Sequence, residues 1–168
     1  RAAVLHLKRA RALERAGAFD SALRETARGR RAVSGVGSHE GERVSAQLGS
    51  LRAVIRQGQQ RPREALRTAM SAAAEAGAVE GKGALARAYG VMSWASRVLG
   101  LEGAAEHDAA ALALFEELGD QSGIALATGN LGSEAYFLGR WDDAVHRYEG
   151  TVSRAMGVTS FSVTGAAL

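Results

Sequence analysis

The feature that most constrains this chain is an internal repeat with a period near 40 residues. Short turns marked by Gly17, Gly58, Gly100 and Gly139 are each followed by an alanine on the next amphipathic stretch: Ala22, Ala65, Ala105 and Ala144. Those alanines step by 43, 40 and 39 residues. Self-similarity at this period marks a stacked array, in which one unit cannot bury its apolar face alone and neighbours complete the core. The units read AGAFDSALRETA, QGQQRPREALRTAMSAAAEAG, LGLEGAAEHDAAALALFEELG and LGRWDDAVHRYEGTVSRAMG, each a turn plus a second helix. A first helix is predicted before each turn, over residues 2–16, 40–57, 82–99 and 122–138.

Spacing supports these helices. Val44, Leu48, Leu51 and Ile55 recur at i, i+4, i+7 and i+11, which places them on one face, with a polar face opposite. Leu126, Leu131, Ala135 and Leu138 form a similar stripe, beside Gly129 and Gly132, where a neighbouring helix could approach closely. Pro62 sits where a helix begins and its missing N–H costs nothing; Asp20, Ser38 and Asp120 are candidate N-caps. The fold class is therefore all-α: an α-solenoid of antiparallel helix pairs across residues 1–168, with approximate units 1–38, 39–79, 80–119 and 120–157. The tail MGVTSFSVTGAAL aligns with the fourth first helix, so 158–168 is expected to open a fifth, truncated unit, and the chain reads as a fragment.

Composition fits closely packed helices: 35 Ala and 21 Gly stand beside only 5% aromatic residues. No apolar run approaches the roughly 20 residues needed to span a bilayer, and with no Cys there are no disulfides or thiolate metal sites. These features fit a soluble, cytoplasmic protein. The net charge of +3 hides a dipole, because residues 1–67 carry 15 Arg/Lys against 6 Asp/Glu, whereas 68–168 carry 6 against 12.

Leu131-Gly132, Leu138-Gly139, Trp141 and Ala144 resemble the tetratricopeptide repeat (TPR), as do Tyr89, Met92-Ser93, Leu99-Gly100 and Ala105. That family implies a right-handed superhelix whose first helices line the concave face. The first two units depart from the pattern. Gly58 to Ala65 is two residues longer than the other turns, and Arg9 stands where an apolar residue belongs. The period exceeds the usual value of about 34 and is similar to a longer variant in bacterial signalling proteins. RPREALRTAMSAAAEAG, LFEELGDQSGIALATGNLG and AYFLGRWDDAVHRYE look like the C-terminal repeat arrays of large actinobacterial regulators of the adenylate/guanylate cyclase or signal-transducing ATPase type. The resemblance implies a sensory or scaffolding segment, any catalytic module belonging to another part of the parent.

No catalytic constellation emerges from the residues. Gly77-Ala-Val-Glu-Gly81-Lys82-Gly83 has three residues between its glycines and lacks the Ser/Thr that a phosphate loop needs after Lys; an interhelix loop explains it. Asp142, His146 and Glu149 share helical spacing, but a solvated second helix has the same pattern. Neither a metal nor a cofactor is expected.

Surface recognition is the stronger reading. The TPR alignment puts Arg87, Trp94 and Arg97 of unit three on the concave face, with Ser133 and Tyr136 of unit four; Arg52 and Arg56 join from unit two, and Arg11 and Arg15 from unit one. Such a basic groove with aromatic contacts suits a protein or an acidic peptide, because guanidinium donors match carboxylates and aromatics supply contact area. The competing reading is a solvated arginine face, with Trp94 packed between repeats. The leading function is a non-catalytic protein-interaction scaffold in a larger bacterial signalling or transcription-regulating protein, where contact with other domains of that parent is a further option. The alternative is nucleic-acid binding through the Arg-rich N-terminal half, although Phe19 is the only aromatic there to stack on bases.

Overall fold

The structure is a computed structural model that describes residues 1–35 and 37–164, with side chains described as far as residue 152. Eight helices occur among the described residues: α1 (Ala2–Arg15), α2 (Phe19–Val33), α3 (His39–Gly58), α4 (Pro62–Ala78), α5 (Lys82–Leu99), α6 (Ala104–Leu118), α7 (Gln121–Phe137) and α8 (Trp141–Thr164). The arrangement is all-α, as expected from the repeat, and falls into two compact units, Arg1–Ala104 and Ala105–Leu168; α1 packs on α2 and α3 on α4 in the first, and α7 on α8 in the second.

In the first unit α1 pairs with α2 and α3 with α4, while the first helices α1, α3 and α5 are successive neighbours. The core forms around α3. Its larger residues Val44, Leu48, Leu51 and Ile55 meet Ala3, Leu7 and Ala10 of α1 and Ala22 of α2. The far side of α3 is buried too, contrary to the polar face expected there: Ala46 packs with Ala76, Val79 and Ala84, and Ala53 with Ala65, Ala69 and Val91. Small residues on that side let α4 and α5 come close enough to bury α3 twice.

The irregular second turn has a specific cause. Gly17, Gly100 and Gly139 all adopt positive φ, but Gly58 remains helical and the left-handed residue is Gln60, at φ 56°. Counted from Gln60, Ala65 lies five residues on, the same interval as Gly17 to Ala22 and Gly139 to Ala144, so the register is regular. Gly58 is glycine for another reason: a Cβ there would approach the Phe19 ring to 2.7 Å. Left-handed backbone costs a non-glycine residue about 1–2 kcal/mol, partly offset by the larger unfolded-state entropy of glycine. Gln60→Gly is therefore expected to raise stability by up to about 1 kcal/mol in urea unfolding.

Two of the three expected caps form. Ser38 accepts from the Gly41 N–H at 3.1 Å and Asp120 from the Gly123 N–H at 3.1 Å, whereas Ala18 caps α2 and Asp20 lies inside its first turn. In the third repeat Gly103 also takes positive φ, which delays α6 to Ala104 and buries Ala104 rather than Ala105 at the small-residue position.

An ion cluster joins α1 to α2. His6 Nδ1 and Arg28 Nη1 each lie 2.7 Å from a carboxylate oxygen of Glu25, which is buried. The contact with His6, helped by Arg28, holds the Glu25 carboxyl below the usual glutamate range although burial opposes it. A depressed carboxyl contributes stability above its unfolded-state pKa and loses it as pH falls through the folded value. Urea midpoints should accordingly drop on acidification below the ordinary glutamate range, and Glu25→Gln should flatten that acid limb.

In the second unit the buried stripe of α7 is Ile124, Ala127, Thr128, Gly132 and Ala135. Leu126 and Leu138, expected in the stripe, are exposed. The contact face uses small residues because α8 comes close: a Cβ on Gly132 would lie 3.2 Å from the Tyr148 ring. Buried Asp108 of α6 accepts from Asn130 Nδ2 of α7 at 3.1 Å. Helix α8 continues unbroken from Trp141 to Thr164, across the expected 157/158 boundary; residues 165–168 of the expected fifth unit lie outside the described residues.

Candidate functional site

Because α1 and α3 are adjacent first helices, their outward residues border a common groove. Val4, Leu7, Lys8 and Arg11 line it from α1, and His39, Glu40, Arg43, Val44 and Gln47 from α3, around a cavity of about 370 Å³. Arg11 Nη2 donates to Gln47 Oε1 at 3.4 Å, and Arg15, one turn on, is exposed. Lys8, Arg11 and Arg43 set three fixed positive charges against the single carboxylate of Glu40, so the groove favours an anionic occupant. The apolar floor from Val4, Leu7 and Val44 supplies contact area.

Arg52 and Arg56 do not join this groove. At about 100° per residue, Arg52 stands half a turn from Arg43, and Arg56 half a turn from Gln47. Arg52 instead lines a pocket with Arg30 of α2 and Arg67 of α4. Arg56 is structural: its Nε lies 3.2 Å from Glu64 Oε2, and its Nη1 donates to Gln59 Oε1 at 2.8 Å. Gln59 in turn donates to Asp20 at 3.2 Å, tying the start of α2 to the α3–α4 turn.

On α5, Arg87 and Arg97 are half-buried and already engaged in polar contacts. Trp94 is half-buried and packs against the cluster of Ala53, Ala65, Ala69 and Val91, which is the packing alternative to a ligand contact.

Ser133 and Tyr136 belong to the second unit. Ser133 Oγ donates to the Gly129 carbonyl at 3.1 Å and accepts from Tyr148 O–H at 2.9 Å, so it serves the α7–α8 packing. Tyr136 is exposed and meets Phe137 and Trp141 edge to face, at centroid distances of 5.6 and 4.9 Å. Sequence reasoning missed that Trp141, Val145, Tyr148 and Val152 form an exposed apolar stripe along α8, although their i, i+4, i+7 and i+11 spacing was available to show it. It also missed Lys8 and Arg43, whose signal was their spacing relative to the buried Leu7 and Val44.

Among the described residues no group of three or more His, Asp or Glu is placed to hold a metal, and no helix is long and apolar enough to cross a membrane.

No family model and no curated protein matches the sequence. Solved structures do match the fold. Aspartyl phosphate phosphatase F from Bacillus subtilis superposes with a TM-score of 0.78 at 15% identity, covering 94% of this chain and 41% of that one. A Rap protein complexed with competence and sporulation factor gives 0.76 at 21% identity, covering 92% and 42%. The apo form of RapI gives 0.73 at 11% identity, covering 93% and 43%. The chain thus spans about two fifths of the length of each structure it matches. By fold, it is an all-α, TPR-like helical-repeat segment similar to the corresponding region of the Rap proteins.

Proposed function

We propose that this chain is a non-catalytic protein-interaction segment that binds an acidic peptide or an acidic stretch of a protein along the first helices of its first unit. The observation that carries the reading is the α1–α3 groove, where Lys8, Arg11 and Arg43 outnumber Glu40 over an apolar floor. A structure of similar fold was solved as a Rap protein with competence and sporulation factor, which is in keeping with peptide recognition by helices so arranged. The repeat strings support placing the segment in a larger bacterial signalling or transcription-regulating protein in the cytoplasm, of the actinobacterial cyclase or ATPase type, with the acidic stretch on a separate protein or on another domain of the same parent.

Fluorescence anisotropy with a labelled Glu/Asp-rich dodecapeptide containing one Leu tests this. Saturable binding that weakens with salt is expected, with at least about fivefold loss in Arg11→Ala/Arg43→Ala, since each arginine contributes a charge-assisted contact. A duplex DNA competitor separates the alternative. Binding of the duplex with displacement of the peptide would favour a nucleic-acid surface, and binding unchanged in the double variant would remove the groove from the account.

A further inference from the structure

On the other side of α3, three arginines from three helices surround one small polar pocket. Arg30 of α2, Arg52 of α3 and Arg67 of α4 line an open pocket of about 250 Å³. Its only carboxylate, Glu75, is taken up by Arg30, whose Nη2 lies 3.1 Å from Glu75 Oε1; Ser71 Oγ also donates to that oxygen, at 3.4 Å. Arg52 and Arg67 are exposed and make no ion pair or hydrogen bond among the described residues. Three guanidinium groups against one carboxylate leave two positive charges without a protein partner around a single space; water and salt screen them in part, and the excess attracts an anion. Gly49 lies at the floor, where a Cβ would be in ordinary contact with Arg30 Nη1 at 3.4 Å and Glu75 Oε2 at 3.6 Å.

We propose that this pocket binds a phosphate monoester. Such a group carries about −1.5 to −2 charge at neutral pH and presents three acceptor oxygens, matching the excess charge and the forked donors of Arg30, Arg52 and Arg67. A carboxylate would neutralise only half of that excess. Arg67 also borders an apolar groove in which Met70 and Leu101 are 56% and 50% exposed. That juxtaposition favours a phosphorylated side chain on a peptide with an apolar neighbour over a free anion. The site is separate from the α1–α3 groove and does not depend on the acidic-peptide reading.

The test is isothermal titration of the 168-residue chain in phosphate-free buffer at physiological salt, using inorganic phosphate, a phosphoserine peptide with a neighbouring Leu, and its unphosphorylated twin. The phosphopeptide should bind at least about tenfold more tightly than its twin. Arg52→Ala/Arg67→Ala should abolish that difference, with helicity by circular dichroism unchanged because both side chains are exposed. Glu75→Gln should tighten binding severalfold by removing the competing charge, while Arg11→Ala/Arg43→Ala should leave it unaltered. Inorganic phosphate binding as tightly as the phosphopeptide would assign the pocket to a free anion of the same chemistry. Equal binding of both peptides, or a phosphate preference that survives Arg52→Ala/Arg67→Ala, would overturn the proposal.

Discussion

Leu48→Ala is expected to lower the unfolding free energy by about 2–5 kcal/mol, the range for truncating a buried leucine in a core that cannot collapse around the gap. Leu48 has no exposed surface and stands in the cluster where α1, α2 and α3 meet. Its methyl groups also face Gly29 of α2, where a Cβ would come within 2.8 Å of Leu48 Cδ1. With no side chain on Gly29, the Leu48 methyl groups alone fill the space beside the α2 backbone, and truncation empties it. Urea unfolding monitored by circular dichroism measures the effect as a lower midpoint with little change in slope. A loss below about 1 kcal/mol, less than the transfer cost of the atoms removed, would mean that Leu48 is not at the centre of this core.

Gly123→Ala is expected to destabilise the second unit, against the usual direction for glycine to alanine in a helix. Alanine in a helix interior ordinarily gains about 0.5–1 kcal/mol. At Gly123 the new Cβ would overlap the Phe115 ring, which is itself 6% exposed. Overpacking of this kind costs about 1–3 kcal/mol, and the affected ring belongs to the helix just before the Asp120 cap. Gly90, inside α5, gives the contrast: nothing lies within 4 Å of a Cβ there, and Gly90→Ala should stabilise by about 0.5–1 kcal/mol. Thermal unfolding of the two variants should therefore move in opposite directions. A stabilising Gly123→Ala would show that α6 and α7 stand further apart than the Phe115 contact requires.

The glycine and alanine spacing carried most of the architecture. It located the first helices to within about a residue, because a turn residue and a small residue five positions later are needed wherever one helix doubles back closely on another. It misread the second turn because glycine is used there for a different purpose: Gly58 makes room for Phe19, and the left-handed position falls to Gln60. Large apolar residues misled in α7, where Leu126 and Leu138 point outward and glycine and alanine make the contact. A pattern search that weights bulk will miss an interface built from small side chains.

The functional surface was less legible for a related reason. Helix α3 is buried on two sides, so its polar residues divide between two opposite edges instead of one solvent face. Arg43 and Gln47 fall on the edge beside α1, and Arg52 on the edge between α2 and α4. The i, i+4 spacing of Arg52 and Arg56 established that they share a side but not which side. Arg56 is further removed by Glu64 and Gln59, partners fixed only once α4 has folded back. Trp94 shows the same limit, since the cluster it packs against includes Ala53, Ala65 and Ala69, 25 or more positions away in the chain.

The central claim is that the α1–α3 groove is where an acidic peptide binds. Nuclear magnetic resonance with 15N-labelled protein and the Glu/Asp-rich dodecapeptide tests it residue by residue. The largest amide and side-chain shifts are expected at Lys8, Arg11, Arg43 and Gln47, with Arg52 and Arg56 on the opposite side of α3 unmoved. Shifts centred on Arg52 and Arg67, or a peptide that binds without perturbing α1, would contradict it.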